Sequence, residues 1–119
     1  MRQPNREPLD RAGRLWRKGA YWEVHEALEP AWLAARGPER DFLHALILAA
    51  AALEARRRGH ERGARNNLAK ARRKARALHP PDARLAAFLE GVGRALEGAP
   101  PPPWPLGEET DPVPPEGSV

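Results

Sequence analysis

The sequence has no cysteine, a single serine and no long apolar run. Without cysteine it has no disulfide bond, no thiolate zinc site and no cysteine nucleophile. The longest uncharged apolar segment, residues 45–53, covers nine residues, whereas a membrane-spanning helix needs roughly 20. The first residues are polar and charged, unlike the apolar core of a signal peptide. We therefore expect a soluble, cytoplasmic protein with no membrane partner.

Aromatic residues are also scarce. They make up 6% of the 119 residues, against 41% for hydrophobic residues as a whole and 30% for charged ones. Seventeen of the 20 basic residues are arginine, which is compatible with a GC-rich genome or a hot habitat. The overall balance is typical of one folded domain. With few aromatic residues, the core must come largely from leucine and alanine, which favours closely packed helices over sheets.

The spacing of apolar residues predicts five helices, with glycine or proline at the breaks between them. The predicted ranges are residues 8–18, 20–36, 39–58, 61–78 and 82–96. The third helix is expected at the centre, because His44 is its only polar side chain between Phe42 and Leu53. Short connections make neighbouring helices antiparallel. We predict an all-α fold, a single-domain bundle of about five antiparallel helices.

A proline-rich acidic tail, residues 99–119, follows the bundle domain of residues 1–98. Eight of these 21 residues are proline, so the tail cannot continue a helix and is predicted to be extended or disordered. Its only apolar anchor is Trp104-Pro105-Leu106. This anchor could dock on its own domain, on a neighbouring subunit or on nothing, and a mobile tail is the simplest expectation.

The second predicted helix carries polar residues on an otherwise apolar face. At about 100° per residue, His25 and Glu29 project between two flanks of apolar and aromatic side chains, and Glu26 lies at the edge. His25 and Glu29 are four residues apart and can meet directly, and a buried carboxylate needs a partner. The third helix offers His44 and Glu54. These five residues form a candidate polar pocket.

Three interpretations of this pocket stay open. It is a satisfied His25–Glu29 pair that sets the packing of the bundle, a pocket for a small molecule or substrate, or a metal site. Two histidines with several carboxylates suit a divalent ion, but the Glu-x-x-His and His-Glu-x-x-His motifs of helical metal sites are absent. There is no glycine-rich phosphate loop, and the only serine, Ser118, lies in the tail. We assign no metal, no cofactor and no catalytic residue.

The net charge of +4 hides a strong asymmetry. Residues 56–76 carry ten basic side chains and one acidic one, whereas residues 77–119 carry two basic and seven acidic ones. Such density is typical of polyanion contact, and without an aromatic residue in the stretch it would be contact with phosphates rather than bases. The candidate residues are Arg58, Arg62, Arg65, Arg72, Arg73 and Arg76. The alternatives are an acidic protein partner, or a solvated face partly neutralised by Glu108, Glu109, Asp111 and Glu116 of the tail.

Three stretches, in order along the chain, resemble one known family. They are Gly19-Ala-Tyr21-Trp22-Glu23-Val-His25-Glu26-Ala-Leu28-Glu29 with Trp32, then Phe42-Leu43-His44-Ala-Leu46-Ile47, then Gly59-His60 and Gly63-Ala64. Through them residues 9–78 resemble the domain of unknown function 309 family, and His-Glu-x-x-Glu-x-x-Trp is the most specific part. The resemblance implies an all-helical fold and no established activity. His44 and Leu48 stand where relatives have glutamine, and His60 where asparagine is usual, so a shared polar site would differ here.

The preferred interpretation is an uncharacterised helical binding or interaction module. The first alternative is an enzyme, such as a metal-dependent hydrolase, that uses His25, Glu26 and Glu29. The second is a nucleic-acid-associated protein that uses the basic residues 56–76. We further expect a homodimer, and weak, non-specific contact with nucleic acid or with an acidic partner.

Overall fold

The computed structural model describes residues 6–106, in which five α-helices joined by short turns are followed by a non-helical segment, residues 97–106. The helices are α1 (Glu7–Arg17), α2 (Tyr21–Ala34), α3 (Gly37–Arg57), α4 (Glu61–Arg76) and α5 (Ala83–Leu96). Every end lies within two residues of its predicted position, and the described residues contain no strand. The prediction of an all-α bundle of five helices is therefore confirmed.

The long helix α3 forms the centre of the bundle. It packs against α2, α4 and α5, while α1 packs on α2. Ten of its residues are buried, and Ala45, Ala49, Ala50 and Ala52 have no exposed surface. Because alanine side chains are short, these positions leave room for the neighbouring helices to pack directly on α3. Between residues 6 and 106, no helix is both long enough and apolar enough to cross a bilayer.

The helix ends follow from local chemistry. Gly19 and Gly59 have φ angles of 76° and 83°, a left-handed conformation that glycine adopts readily and that ends α1 and α3. α5 begins after Asp82, whose Oδ1 accepts a hydrogen bond from the backbone N–H of Leu85 at 3.0 Å. This contact satisfies one of the free N–H groups in the first turn of the helix.

The first part of the tail is docked on the bundle. Trp104 is 6% exposed and belongs to the hydrophobic core. Its ring centroid lies 5.6 Å from that of Trp16 and 5.9 Å from that of Phe88. The indole N–H of Trp16 donates a hydrogen bond to the carbonyl oxygen of Pro102 at 2.8 Å. The expectation of a mobile tail is therefore wrong for residues 99–106, and residues 107–119 lie outside the described part.

Two glycines make room for this docking. A Cβ atom at Gly13 of α1 would lie 2.9 Å from Cδ1 of Trp104, and one at Gly91 of α5 would lie 2.5 Å from Cβ of Pro102. The tail therefore fits a groove between α1 and α5 in which glycine, which has no side chain, leaves room at these two positions. Trp104 Nε1 is buried without an acceptor among residues 6–106, so apolar packing holds this ring in place.

Candidate functional site

The carboxylates of the polar motif on α2 face solvent. Trp22 is 48% exposed and Leu33 is 59% exposed, and Glu26 and Glu29 are exposed between them. We call Trp22, His25, Glu26, Glu29 and Leu33 the α2 outer face. The prediction that Glu29 projects into the core is wrong, and Glu26, predicted at the edge of the apolar face, is exposed as well. Neither carboxylate takes part in an ion pair within the described residues.

The inward side of α2 is set by its two neighbours. Val24, Ala27 and Leu28 are buried, and the ring of Tyr21 meets that of Trp16 of α1 at 5.0 Å. Apolar side chains occupy nearly half of the circumference of this helix, so several rotations about its axis bury similar areas. Contacts with α1 and α3 select the one that leaves Trp22 and Leu33 outside.

His25 does not form the predicted pair with Glu29. It is half-buried, and its ring stands edge-on to that of Trp22, with the centroids 5.2 Å apart and an interplanar angle of 72°. The imidazole thus lies beside an exposed indole. His25 remains accessible on the α2 outer face.

The buried carboxylate is Glu54, near the end of α3. It is 6% exposed, and it binds NH2 of Arg57 at 2.6 Å and Nε of Arg58 at 2.7 Å. Arg57 also donates to the carbonyl oxygen of Gly19 at 3.3 Å, which ties α3 to the turn between α1 and α2. Glu54 therefore positions Arg57 and Arg58 at the end of α3 and does not join a pocket with His25.

His44 of α3 forms a separate cluster with α2. Its ring centroid lies 4.8 Å from that of Trp32. The guanidinium carbon of Arg40 lies 4.7 Å from the Trp32 ring centroid, and Arg40 NH1 donates to the Trp32 carbonyl oxygen at 3.0 Å. His44 is half-buried and lies beside the contact between Trp32 of α2 and Arg40 of α3.

Beside His44 a cleft opens between α3 and α4, with a volume of about 530 Å³. We call it the α3–α4 cleft; it is lined by Asp41, His44, Leu48, Lys70, Arg73, Lys74 and Ala77. Nζ of Lys74 lies 3.9 Å from Oδ1 of Asp41. The sequence analysis did not predict this cleft. Its histidine comes from α3 and its basic residues come from α4, and the apolar pattern of each helix does not say how the two are rotated relative to each other.

The six arginines predicted to bind a polyanion divide into two groups. Arg58 is held by Glu54, Arg65 pairs with Glu61 at 3.3 Å, and Arg72 lies against Gly93 of α5, where a Cβ would come within 2.8 Å of its NH2. The others, Arg62, Arg73 and Arg76, are exposed and have no ion pair within residues 6–106. We call these three the basic face of α4.

The five residues of the predicted polar pocket therefore occupy three places: the α2 outer face, the α3–α4 cleft and the end of α3. Among residues 6–106 no group of three or more His, Cys, Asp or Glu side chains is placed to hold a metal ion. The hydrolase alternative gains no support from this geometry. The described residues present instead an acidic surface on α2, a basic surface on α4 and several clefts, of which the α3–α4 cleft contains His44.

These features define a small helical-bundle protein with one acidic and one basic helix surface, and comparison with known proteins places it further. The chain belongs to the domain of unknown function 309 family, whose pattern matches residues 9–67. It is similar to a conserved hypothetical protein from Thermus thermophilus, known from a crystal structure, with 40% sequence identity and a TM-score of 0.63. The match covers 76% of this chain and 96% of that one. No curated protein matches the sequence.

Proposed function

We propose that the protein is a cytoplasmic, non-enzymatic binding module and that the basic face of α4 contacts phosphate groups of nucleic acid. One observation carries the proposal. Arg62, Arg73 and Arg76 are exposed on one side of α4 and have no ion pair within residues 6–106. Arginine side chains that a fold leaves exposed and without a carboxylate partner are well suited to phosphate oxygens, which they bind through two parallel hydrogen bonds.

The length of the basic face supports this ligand. Arg62 and Arg76 are 14 positions apart, which is about 21 Å along a helix. A nucleic-acid strand offers a phosphate roughly every 3.4 Å along its axis, so the face can meet several phosphates at once. No aromatic side chain lies on α4, and binding is therefore expected to depend on charge and to be indifferent to base sequence.

The test is the salt dependence of nucleic-acid binding. We expect the full chain to bind a fluorescent oligonucleotide at about 50 mM salt, with log K falling against log salt by about 0.9 for each phosphate contact. Three contacts then give a slope near −3, as measured by fluorescence anisotropy. Absence of binding at low salt would overturn the proposal. Equal binding of polyglutamate would overturn it too, since an acidic polypeptide would then serve as well as nucleic acid.

The α2 outer face favours a second function, self-association. Trp22 and Leu33 are the large apolar side chains that the described residues leave exposed, and Glu26 and Glu29 lie between them. Large apolar side chains exposed next to charged ones are found at interaction sites, and here Trp22 and Leu33 flank the two carboxylates. A second copy of the chain offers the complementary charge on its α4. We infer that the α2 outer face of one copy binds the basic face of another.

Sedimentation velocity tests self-association directly. We expect the full chain to form dimers or larger species at low salt and high concentration, and to dissociate as salt screens the charges. Trp22→Ala combined with Leu33→Ala should leave it monomeric, because the apolar contact is lost while the charges stay. A wild-type chain that is monomeric at every concentration and every salt concentration would exclude self-association. It would leave the proposal of nucleic-acid binding unaffected.

A further inference from the structure

The α3–α4 cleft has the composition of an anion site. From α4 it receives Lys70, Arg73 and Lys74, and from α3 it receives His44 and Asp41. Its volume of about 530 Å³ falls within the range of small-ligand sites. Three positive groups face one carboxylate, and that carboxylate is 3.9 Å from the nearest of them, Lys74. The cleft therefore keeps an excess of positive charge for a ligand to neutralise.

We propose that the α3–α4 cleft binds a phosphate group and takes up a proton at His44 as it does so. This inference rests on the proposed function, since Arg73 belongs both to the cleft and to the basic face of α4. It adds a discrete site to that face, at which one phosphate of a bound strand enters between the helices. The proton comes from solvent and forms an N–H bond at the acceptor nitrogen of the imidazole; no other covalent bond is made or broken.

The position of His44 allows its protonation to respond to a ligand in the cleft. Its ring lies tilted against that of Trp32, with 4.8 Å between the centroids and an interplanar angle of 37°, and His44 also lines the cleft. A neutral imidazole has one N–H donor and one acceptor nitrogen, whereas the protonated form donates from both. Protonation therefore converts His44 into a cationic donor that matches a phosphate oxygen.

The charges around His44 favour its neutral form when the cleft is empty. Burial, followed by the charges of Lys74 and Arg40, lowers the pKa of His44 below its ordinary value of 6.5, while Asp41 opposes this and Lys70 adds to it. Arg73 also lines the cleft. These charged groups come from α3 and α4, and the contact that α2 makes with His44 is the uncharged ring of Trp32.

A phosphate in the cleft reverses this balance. Its negative charge beside the imidazole favours the protonated form and raises the pKa of His44. By linkage, a ligand that raises a pKa binds more tightly when the group is already protonated. Affinity for phosphate should therefore increase as the pH falls through the range in which His44 titrates. Each unit of pKa change on binding corresponds to about tenfold in affinity.

The first experiment compares the wild type with His44→Gln, which keeps a polar side chain but cannot be protonated. We expect wild-type affinity for an oligonucleotide to rise between about pH 8 and about pH 5.5, by up to about tenfold more than in His44→Gln. The phosphodiester itself does not titrate in this range. Equal pH dependence in both proteins would overturn the site while leaving the proposed function intact.

The second experiment needs no nucleic acid. NMR titration gives the pKa of His44 with and without sulfate, an anion that resembles phosphate but keeps a constant charge over the pH range. At constant ionic strength we expect sulfate to raise the pKa of His44, and to raise it less in Lys70→Gln, which removes one positive group of the cleft. No effect of sulfate on His44, or an equal effect in both proteins, would overturn the site. If sulfate acts on His44 but no oligonucleotide binds, the anion site is supported and the proposed function fails.

Asp41→Asn provides a variant that cannot be mistaken for a folding defect. It removes the one carboxylate of the cleft and frees Lys74 from its ion pair, so the attraction for an anion increases. We expect tighter binding of sulfate, and Lys70→Gln should weaken it by a comparable factor. Unchanged or weaker binding in Asp41→Asn would contradict a phosphate site in this cleft.

Discussion

Replacing Trp104 by alanine is expected to lower the free energy of unfolding by about 3–5 kcal/mol, the usual cost of truncating a buried tryptophan. Trp104 lies among Trp16, Phe88 and Gly13 and is 6% exposed. Its removal leaves a cavity and also weakens the hold on Pro102, whose carbonyl oxygen accepts the Trp16 indole N–H. Urea denaturation followed by circular dichroism measures the loss.

Two further variants make this test specific to the docked tail. Trp22→Ala removes the same side chain at a site that is 48% exposed, and should cost less than about 1 kcal/mol. Gly91→Ala raises helix propensity by roughly 0.5–1 kcal/mol, yet its Cβ would lie 2.5 Å from Cβ of Pro102. We expect it to destabilise the protein by displacing the tail. A stabilised Gly91→Ala, or equal losses at both tryptophans, would show that the tail is not docked.

The second large effect concerns binding. Changing Arg62, Arg73 and Arg76 together to glutamine should reduce affinity for an oligonucleotide by about 100-fold at low salt and should flatten the salt slope by roughly one unit per arginine. These three side chains are exposed, so their replacement leaves the core of the bundle untouched. The three arginines are the groups expected to displace counterions from the nucleic-acid strand, so their replacement lowers both the affinity and its dependence on salt.

A control variant tests whether the position of the three arginines matters or only the loss of net charge. Arg11, Arg14 and Arg36 are also exposed, but they lie on α1 and at the turn before α3. Their replacement by glutamine removes the same total charge, and we expect an affinity change of no more than about threefold, since long-range attraction is screened by salt. If both triple variants lose affinity equally, the basic face of α4 has no special part in binding.

The helices were predictable because their signals are local. Gly19 and Gly59 end helices through backbone conformations that other residues adopt reluctantly, and Asp82 begins one with its own side chain. The run around Ala45 to Leu53 has an apolar residue in every direction, so α3 could only be central. For these elements no knowledge of a distant partner was needed.

The candidate site was only partly predictable, and the reason differs for each residue. Glu54 was expected to be buried and is, but its partners are Arg57 and Arg58 of the next turn instead of residues of α2. Glu29 was expected inside and is exposed. A broad apolar arc leaves the rotation of α2 undetermined, and a single helical projection has no means of choosing between rotations that bury similar areas.

The burial of Trp104 in the tail could not be predicted from the sequence either. A proline-rich segment has no helix or strand periodicity, so its sequence predicts an extended chain and says nothing about docking. The docking depends on Gly13 and Gly91, which are 78 positions apart and form one groove only after α1 and α5 have packed. No pattern within the tail could have indicated them.

Sequence alone therefore determined the class of fold, the five helices, the central position of α3 and the concentration of positive charge on α4. Each of these depends on periodicity or composition within one segment. Tertiary structure decided which side of α2 faces solvent, which arginines of α4 have no ion pair within residues 6–106, and that His44, Lys70 and Lys74 line one cleft. The physical reason is that packing several helices at once fixes their rotations, and one helix alone leaves many rotations of nearly equal energy.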